Sequence, residues 1–108
     1  MPKKQKLELT WIGKDKKPRL EPRILIEDPE KAYGDKNTTN MLIHGDNLLA
    51  LKALEQGFAG KIKCIYIDPP YNTGNAFEHY DDGIEHSLWL TLIKNRLEIL
   101  KELLSVDG

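Results

Sequence analysis

A single cysteine, Cys64, leaves no partner for an internal disulfide, and no Cys-x-x-Cys pair offers a zinc ribbon. There is no Gly-Lys-Thr phosphate loop and no serine elbow, which excludes the simple nucleotide-hydrolase and serine-hydrolase readings. No uninterrupted apolar run approaches the roughly 20 residues that span a bilayer, and no secretory leader is recognisable. The expected compartment is therefore the cytoplasm, with no membrane partner. Internal repeats and low-complexity tracts are also lacking. Cys64 itself sits in an apolar run, where a small buried thiol is ordinary packing.

The 108 residues and 40% hydrophobic content suit one modest domain. Net charge is only −1, but it is unevenly placed. Lys3, Lys4, Lys6, Lys14, Lys16, Lys17, Arg19 and Arg23 face three acidic residues over positions 1–23, whereas the remainder is acidic. Residues 1–39 read as a basic N-terminal arm that either contacts DNA phosphates or is simply solvated. Pro18, Pro22 and Pro29 argue against a long helix there, while Trp11, Leu20, Ile24, Leu25 and Ile26 suggest docking onto other parts of a protein.

From Asn40 the pattern becomes regular, and residues 40–108 read as a second region. Met41-Leu42-Ile43-His44 is predicted as a short strand broken by Gly45. Asp46 or Asn47 then caps a helix to about Gln56, with Leu48, Leu51 and Leu54 on one face and Gly57 as its stop. Ile62-Lys63-Cys64-Ile65-Tyr66-Ile67 follows as a second strand, so that strand, helix and strand have the length of one βαβ unit with parallel strands.

Asp68-Pro69-Pro70-Tyr71 comes directly after that run. Two prolines lock φ and remove two backbone donors, which leaves a stiff rim of oxygen acceptors. Such a rim suits an exocyclic amine, whose N–H groups must be held while its lone pair stays free. The Asp68 carboxylate and the Pro69 carbonyl can accept those hydrogens, and fixed acceptors stabilise the positive charge that develops on the nitrogen during alkylation. Tyr71 offers an aromatic face to a base that has left the stack. The competing reading is a rigid turn that ends a strand.

Residues 72–85 read as a loop in which Phe77 or Tyr80 lines a base pocket, or else docks elsewhere. His79, Asp81, Asp82, Glu85 and His86 cluster, but their spacing fits no common ligand pattern and no metal site is assigned. Ser87 is predicted to cap a helix whose core stripe is Trp89, Leu92, Ile93, Leu97, Leu100 and Leu104, with Asp107-Gly108 as the turn after it.

Gly45-Asp46-Asn47-Leu48, the run from Tyr66 through Asp68-Pro69-Pro70-Tyr71 to Asn72-Thr73-Gly74-Asn75, His86-Ser87 and Trp89-Leu90 together resemble the N-terminal part of adenine-specific N6 DNA methyltransferases. In particular they resemble the modification subunits of type III restriction-modification systems. Leu9-Thr10-Trp11-Ile12-Gly13-Lys14 and Leu20-Glu21-Pro22-Arg23 extend the similarity nearly end to end.

The resemblance implies an α/β fold, a partial Rossmann-like sheet of an S-adenosylmethionine-dependent methyltransferase, with two parallel strands, flanking helices and the remainder of the sheet missing. It implies methyl transfer to N6 of a flipped adenine in double-stranded DNA, with Asp68, Pro69, Pro70 and Tyr71 as catalytic residues. Asp46 and Asp68 become candidate contacts to S-adenosylmethionine, Asp46 with helix capping as its alternative. A restriction subunit and a second copy are the implied protein partners.

Other readings stay open: methylation of cytosine N4 or a glutamine amide, or a non-catalytic remnant that binds DNA or a partner. Asp at the first motif position favours adenine. In such enzymes the glycine-bearing strand-turn that holds the cofactor comes later in the chain, and no Phe-x-Gly-x-Gly-like segment occurs here. The chain is thus expected to be an N-terminal fragment, inactive alone. Titration calorimetry of the isolated chain should show no measurable S-adenosylmethionine binding; tight binding would mean that the cofactor site is misplaced.

Overall fold

The computed structural model describes residues 5–70 and 82–108, with side chains from residue 85 onward in the second stretch. Among them the regular elements are a 3-10 turn at Pro29–Lys31, helix α1 at Asn47–Phe58 and helix α2 at Asp82–Leu103. Two units form: Met1–Pro18 with Ile67–Asn95, and Arg19–Tyr66 with Arg96–Gly108. The division falls inside α2, which supplies residues to both.

In the second unit α1 begins where Asp46 takes an extended conformation and its Oδ1 accepts the Leu48 N–H at 2.8 Å. This satisfies one of the donors that every helix start leaves without an intrahelical partner. Leu48, Leu51 and Leu54 are half-buried, while Lys52 and Gln56 face solvent, as the spacing predicts. The predicted stop at Gly57 is passed. A helical glycine costs only about 1 kcal/mol against alanine, and the helix runs on to Phe58, with the Ala59 N–H still reaching the Glu55 carbonyl at 3.2 Å. The left-handed residue that turns the chain is instead Gly60, at φ +71°.

Gly60 then donates to the Glu102 carbonyl at 2.9 Å, and Ile62 donates to the Leu103 carbonyl at 2.9 Å. Ser105 returns a bond from its N–H to the Ile62 carbonyl at 2.8 Å, forming a single parallel bridge between Ile62 and Leu104. Leu100 and Leu103, 8% and 3% exposed, are the buried hydrophobic residues among those described. Leu103 lies outside the predicted stripe, and Leu97 within it is exposed. Near the start of α1, the Arg96 Nε donates to Asn47 Oδ1 at 2.7 Å.

The expected α/β fold with a partial Rossmann-like sheet is not what forms. Among the described residues there are two helices and no strand; the lone bridge at Ile62 is the only β-type pairing. Met41-Leu42-Ile43-His44 takes no regular structure and Leu42 is 99% exposed, while Tyr66 is 90% exposed. Cys64, expected in a strand interior, is exposed as well.

The physical reason lies in the backbone groups. An apolar run becomes a strand only when its N–H and C=O groups find a neighbouring ladder, and β preference reports that context more than any intrinsic tendency. The Ile62 amide and carbonyl bond to the end of α2, and among the described residues no backbone bond joins the rest of that run to residues 41–44. Short apolar runs of this kind do not reveal by periodicity alone which partner they will take.

Helix α2 also starts earlier than predicted. Ser87 is not its cap but an interior residue, because the helix opens at Asp82 and includes Gly83-Ile84-Glu85-His86. Serine tolerates a helix interior at modest cost, so a good capping residue type does not oblige a helix to begin there. The turn at Asp107-Gly108 does form, with the Gly108 N–H donating to the Ser105 carbonyl at 3.1 Å and Ser105 Oγ to Asp107 Oδ1 at 2.9 Å. No helix among the described residues is long and apolar enough to cross a membrane.

Lys63 Nζ donates to Asp107 Oδ2, and this bond, followed by that from Ser105, holds the Asp107 carboxyl below its ordinary pKa of 3.8. A depressed carboxylate stabilises the fold above its unfolded pKa, and that contribution is lost as pH falls through the lower folded value. Lys63→Met should raise the Asp107 pKa toward the ordinary value without fully reaching it, since Ser105 remains. Carboxyl carbon NMR titration would measure this, and an unmoved pKa would refute the pairing. Both groups are solvent-exposed, so added salt should shrink the difference between variant and parent.

Candidate active site

The Asp68-Pro69-Pro70 corner belongs to the first unit, and all three residues are exposed. Neither proline has an N–H, so the corner cannot tie itself down through its own backbone donors. The donor comes instead from α2: the Trp89 indole Nε1–H bonds to the Pro70 carbonyl. No described residue donates to the Asp68 carboxylate or to the Pro69 carbonyl. Among the described residues, two oxygen acceptors thus have no donor beside a third that is held.

Another face of α2 carries the N-terminal turn. Lys14 N–H reaches the Trp11 carbonyl at 3.2 Å and Lys16 N–H the Gly13 carbonyl at 3.1 Å, with Gly13 at φ +89°. The Trp11 indole donates to Thr91 Oγ1 at 2.9 Å, and Lys94 Nζ donates to the Lys14 carbonyl at 2.8 Å. Thr91 and Lys94 are three apart and share a face of the helix, while Trp89, two residues before Thr91, projects elsewhere. Gly13 sits close over this contact, where an added Cβ would lie 3.8 Å from Thr91 Oγ1.

Lys14, one of the basic residues of the arm, is drawn inward. Its Nζ bonds to Glu8 Oε1 and to the Leu9 carbonyl, both at 2.5 Å, and lies 5.4 Å from the Trp11 ring centroid. That hydrogen bond, with the attraction of the Lys14 charge, lowers the Glu8 pKa. Lys16, Lys17 and Arg19 remain exposed.

Among the predicted site residues, Asp68, Pro69 and Pro70 are brought together with Trp89. Tyr71 lies outside the described residues, as do Phe77, His79, Tyr80 and Asp81. Asp46 belongs to the other unit, where its carboxylate caps α1. Among the described residues no three His, Cys, Asp or Glu side chains converge as metal ligands.

Trp89 was legible only as a member of an apolar stripe. The available hint was its chemistry, because a partly buried indole N–H needs an acceptor and usually finds one. Which acceptor it would find, 19 residues back along the chain, was not readable from spacing.

Asp68, Pro69 and Pro70 thus form an exposed corner of oxygen acceptors with an indole donor behind it. Residues 62–108 match the DNA methylase family. The chain is similar to Mod subunits of type III restriction-modification enzymes. It is 59% identical over 69 residues to the probable HindVI Mod subunit of Haemophilus influenzae, covering 64% of this chain and 9% of that protein. It is 37% identical to the EcoPI Mod subunit of Escherichia phage P1 and 35% identical to the EcoP15I Mod subunit of Escherichia coli, each over 97% of this chain and 22% of the relative. The chain thus spans less than a quarter of the length of these curated relatives. No solved structure matches it.

The cap geometry at Asp46 yields a direct test. Asp46→Ala should cost about 1 kcal/mol of stability, whereas Asp46→Asn, which keeps an acceptor, should cost only a few tenths. Urea unfolding followed by circular dichroism measures both, and equal stability of the Ala variant and the parent would rule out the capping role.

Proposed function

We propose that this chain carries the amine-binding corner of an S-adenosylmethionine-dependent DNA adenine-N6 methyltransferase of a type III restriction-modification system. The observation that supports it most is the exposed pair of acceptors, the Asp68 carboxylate and the Pro69 carbonyl, on a backbone that two prolines stiffen. The match of residues 62–108 to the DNA methylases, which includes this corner, supports the reaction class.

The cofactor presents donors: an ammonium group, ribose hydroxyls and an adenine amine. Exposed carboxylates are suitable acceptors for such groups, and Asp68 offers one whose oxygens no described residue occupies. Asp46 also remains a candidate contact, since its bond to Leu48 uses Oδ1 and leaves Oδ2. When bound, S-adenosylmethionine supplies an electrophilic methyl on sulfonium sulfur.

This chain's own residues bind and orient the amine. Asp68 Oδ and the Pro69 carbonyl oxygen accept the two N6 hydrogens, which turns the nitrogen lone pair out of conjugation and toward the incoming methyl. As the nitrogen gains positive charge both bonds strengthen, so the corner favours the transition state over the resting base. Asp68 Oδ is then in place to take the surplus proton. Tyr71 supplies an aromatic face against the flipped base, which compensates part of the lost stacking.

In this reading residues 1–39 act as the basic arm, with exposed Lys16, Lys17 and Arg19 able to meet phosphates, and residues 40–108 as the first part of the catalytic region. The names of the relatives, Mod subunits of type III restriction-modification enzymes, support a restriction subunit as partner; duplex DNA as substrate, the cytoplasm as compartment and a second copy of the protein are part of the same proposal.

In an active methyltransferase carrying this segment, Asp68→Ala should lower the methylation rate by at least about a hundredfold, the usual scale for removing a preorganised polar group. DNA affinity should stay within about twofold, because the contacts to phosphate are made elsewhere. Tritiated-methyl transfer and gel-shift assays read the two quantities. Methylation at the parental rate would sink the assignment.

A further inference from the structure

We infer that Trp89 is a positioning residue for the adenine-binding corner, its indole N–H holding the Pro70 carbonyl so that the Asp68 carboxylate and the Pro69 carbonyl face the amine. The inference rests on the function proposed above and adds a residue and a reason to it.

Proline fixes φ but leaves ψ free, so Asp68-Pro69-Pro70 is stiff in only half of its torsions. Rotation about ψ of Pro70 swings its carbonyl and changes the direction in which the chain leaves the corner. Two consecutive residues without N–H groups cannot close a backbone hydrogen bond across this stretch to stop that rotation. A donor from another element is required, and the Trp89 indole is the donor in place.

The same bond selects among the acceptors. An amine approaching the corner meets three oxygen-bearing groups in sequence, at Asp68, Pro69 and Pro70. With one lone pair of the Pro70 carbonyl engaged by Trp89, the Asp68 carboxylate and the Pro69 carbonyl are the acceptors of the corner that no described residue engages, one for each hydrogen of an exocyclic amine. Helix α2 is a suitable anchor, since a residue in a 22-residue helix is held by the flanking turns. Trp89 does not itself touch the base in this scheme; it acts through Pro70.

The test uses an active methyltransferase carrying this segment, with 2-aminopurine in place of the target adenine to report base flipping and unmodified DNA for rates. Trp89→Phe keeps an aromatic ring and removes the donor. The expected result is a kcat lowered about three- to tenfold, the scale of one neutral hydrogen bond. KM for DNA, the 2-aminopurine signal and the melting temperature should stay near the parental values. Benzothienylalanine at position 89 keeps the bicyclic shape with sulfur in place of N–H, and should reproduce the kcat loss even where phenylalanine disturbs packing. Thr91→Val, which removes the acceptor of Trp11 on another face of α2, should leave kcat within about twofold.

An unchanged kcat in both position-89 variants, with Asp68→Ala inactive, overturns the role of Trp89 and leaves the proposed function standing. A kcat loss that follows a collapse of melting temperature and 2-aminopurine signal in both variants also overturns it, since that is packing alone. Activity in Asp68→Ala would instead remove the proposed function and this inference with it.

Discussion

Backbone carbonyls that their own segment cannot satisfy organise this protein. A helix leaves its last carbonyls without intrahelical donors, and two prolines in a row leave a corner without donors of its own. In one unit the end of α2 meets this need with the N–H groups of Gly60 and Ile62, more than 35 residues earlier in the chain. In the other, the Pro70 carbonyl meets it with the indole of Trp89. Both solutions join α2 to a segment well before it in sequence. An unmet buried carbonyl costs about 1–3 kcal/mol, a penalty that applies at the buried Leu103, whereas the exposed Pro70 carbonyl is open to water and its bond to Trp89 fixes direction more than it adds stability.

The same constraint links fold to chemistry. A methyl-transfer site for an amine needs acceptors that stay acceptors, in a fixed direction, without being consumed by secondary structure. Proline provides the first condition by withholding donors that would pair with them. It does not provide the second, which under the proposed function falls to the Trp89 bond on the Pro70 carbonyl. The N-terminal turn on another face of α2, through Trp11, Gly13 and Lys94, adds further anchorage to the helix that carries the clamp. Lys14 is meanwhile committed to Glu8 and Leu9, so charge counted along the sequence overstates the positive charge that the arm presents to a polyanion.

The local features were readable from residue types. The Asp46 cap, the leucine face of α1, the helical stretch that holds Trp89 to Leu100 and the turn at Asp107 all follow from chemistry within four or five residues, the range over which capping and helical periodicity act. The expectation of a sheet failed because strand pairing is not local. The Ile62 run and the Met41 run have similar apolar character, yet nothing in either says whether its backbone will meet the other or the end of a helix. The start of α2 was misplaced at Ser87 for a related reason, in that a favourable capping side chain permits a helix start without requiring one.

By itself the sequence determined the chemistry this protein brings: an acidic side chain followed by two prolines and a tyrosine, in a segment that matches the DNA methylases. That much resides in covalent structure, since ring closure at proline and the charge of a carboxylate do not depend on any neighbour. Tertiary structure alone decided which carbonyl of the corner is tied and which stay open, that the residues around Ile62 grip a helix end in place of a strand, and that Lys14 turns inward. Each of those outcomes depends on a hydrogen-bond partner distant along the chain or on a competition among several donors, and residue order carries no record of who wins it.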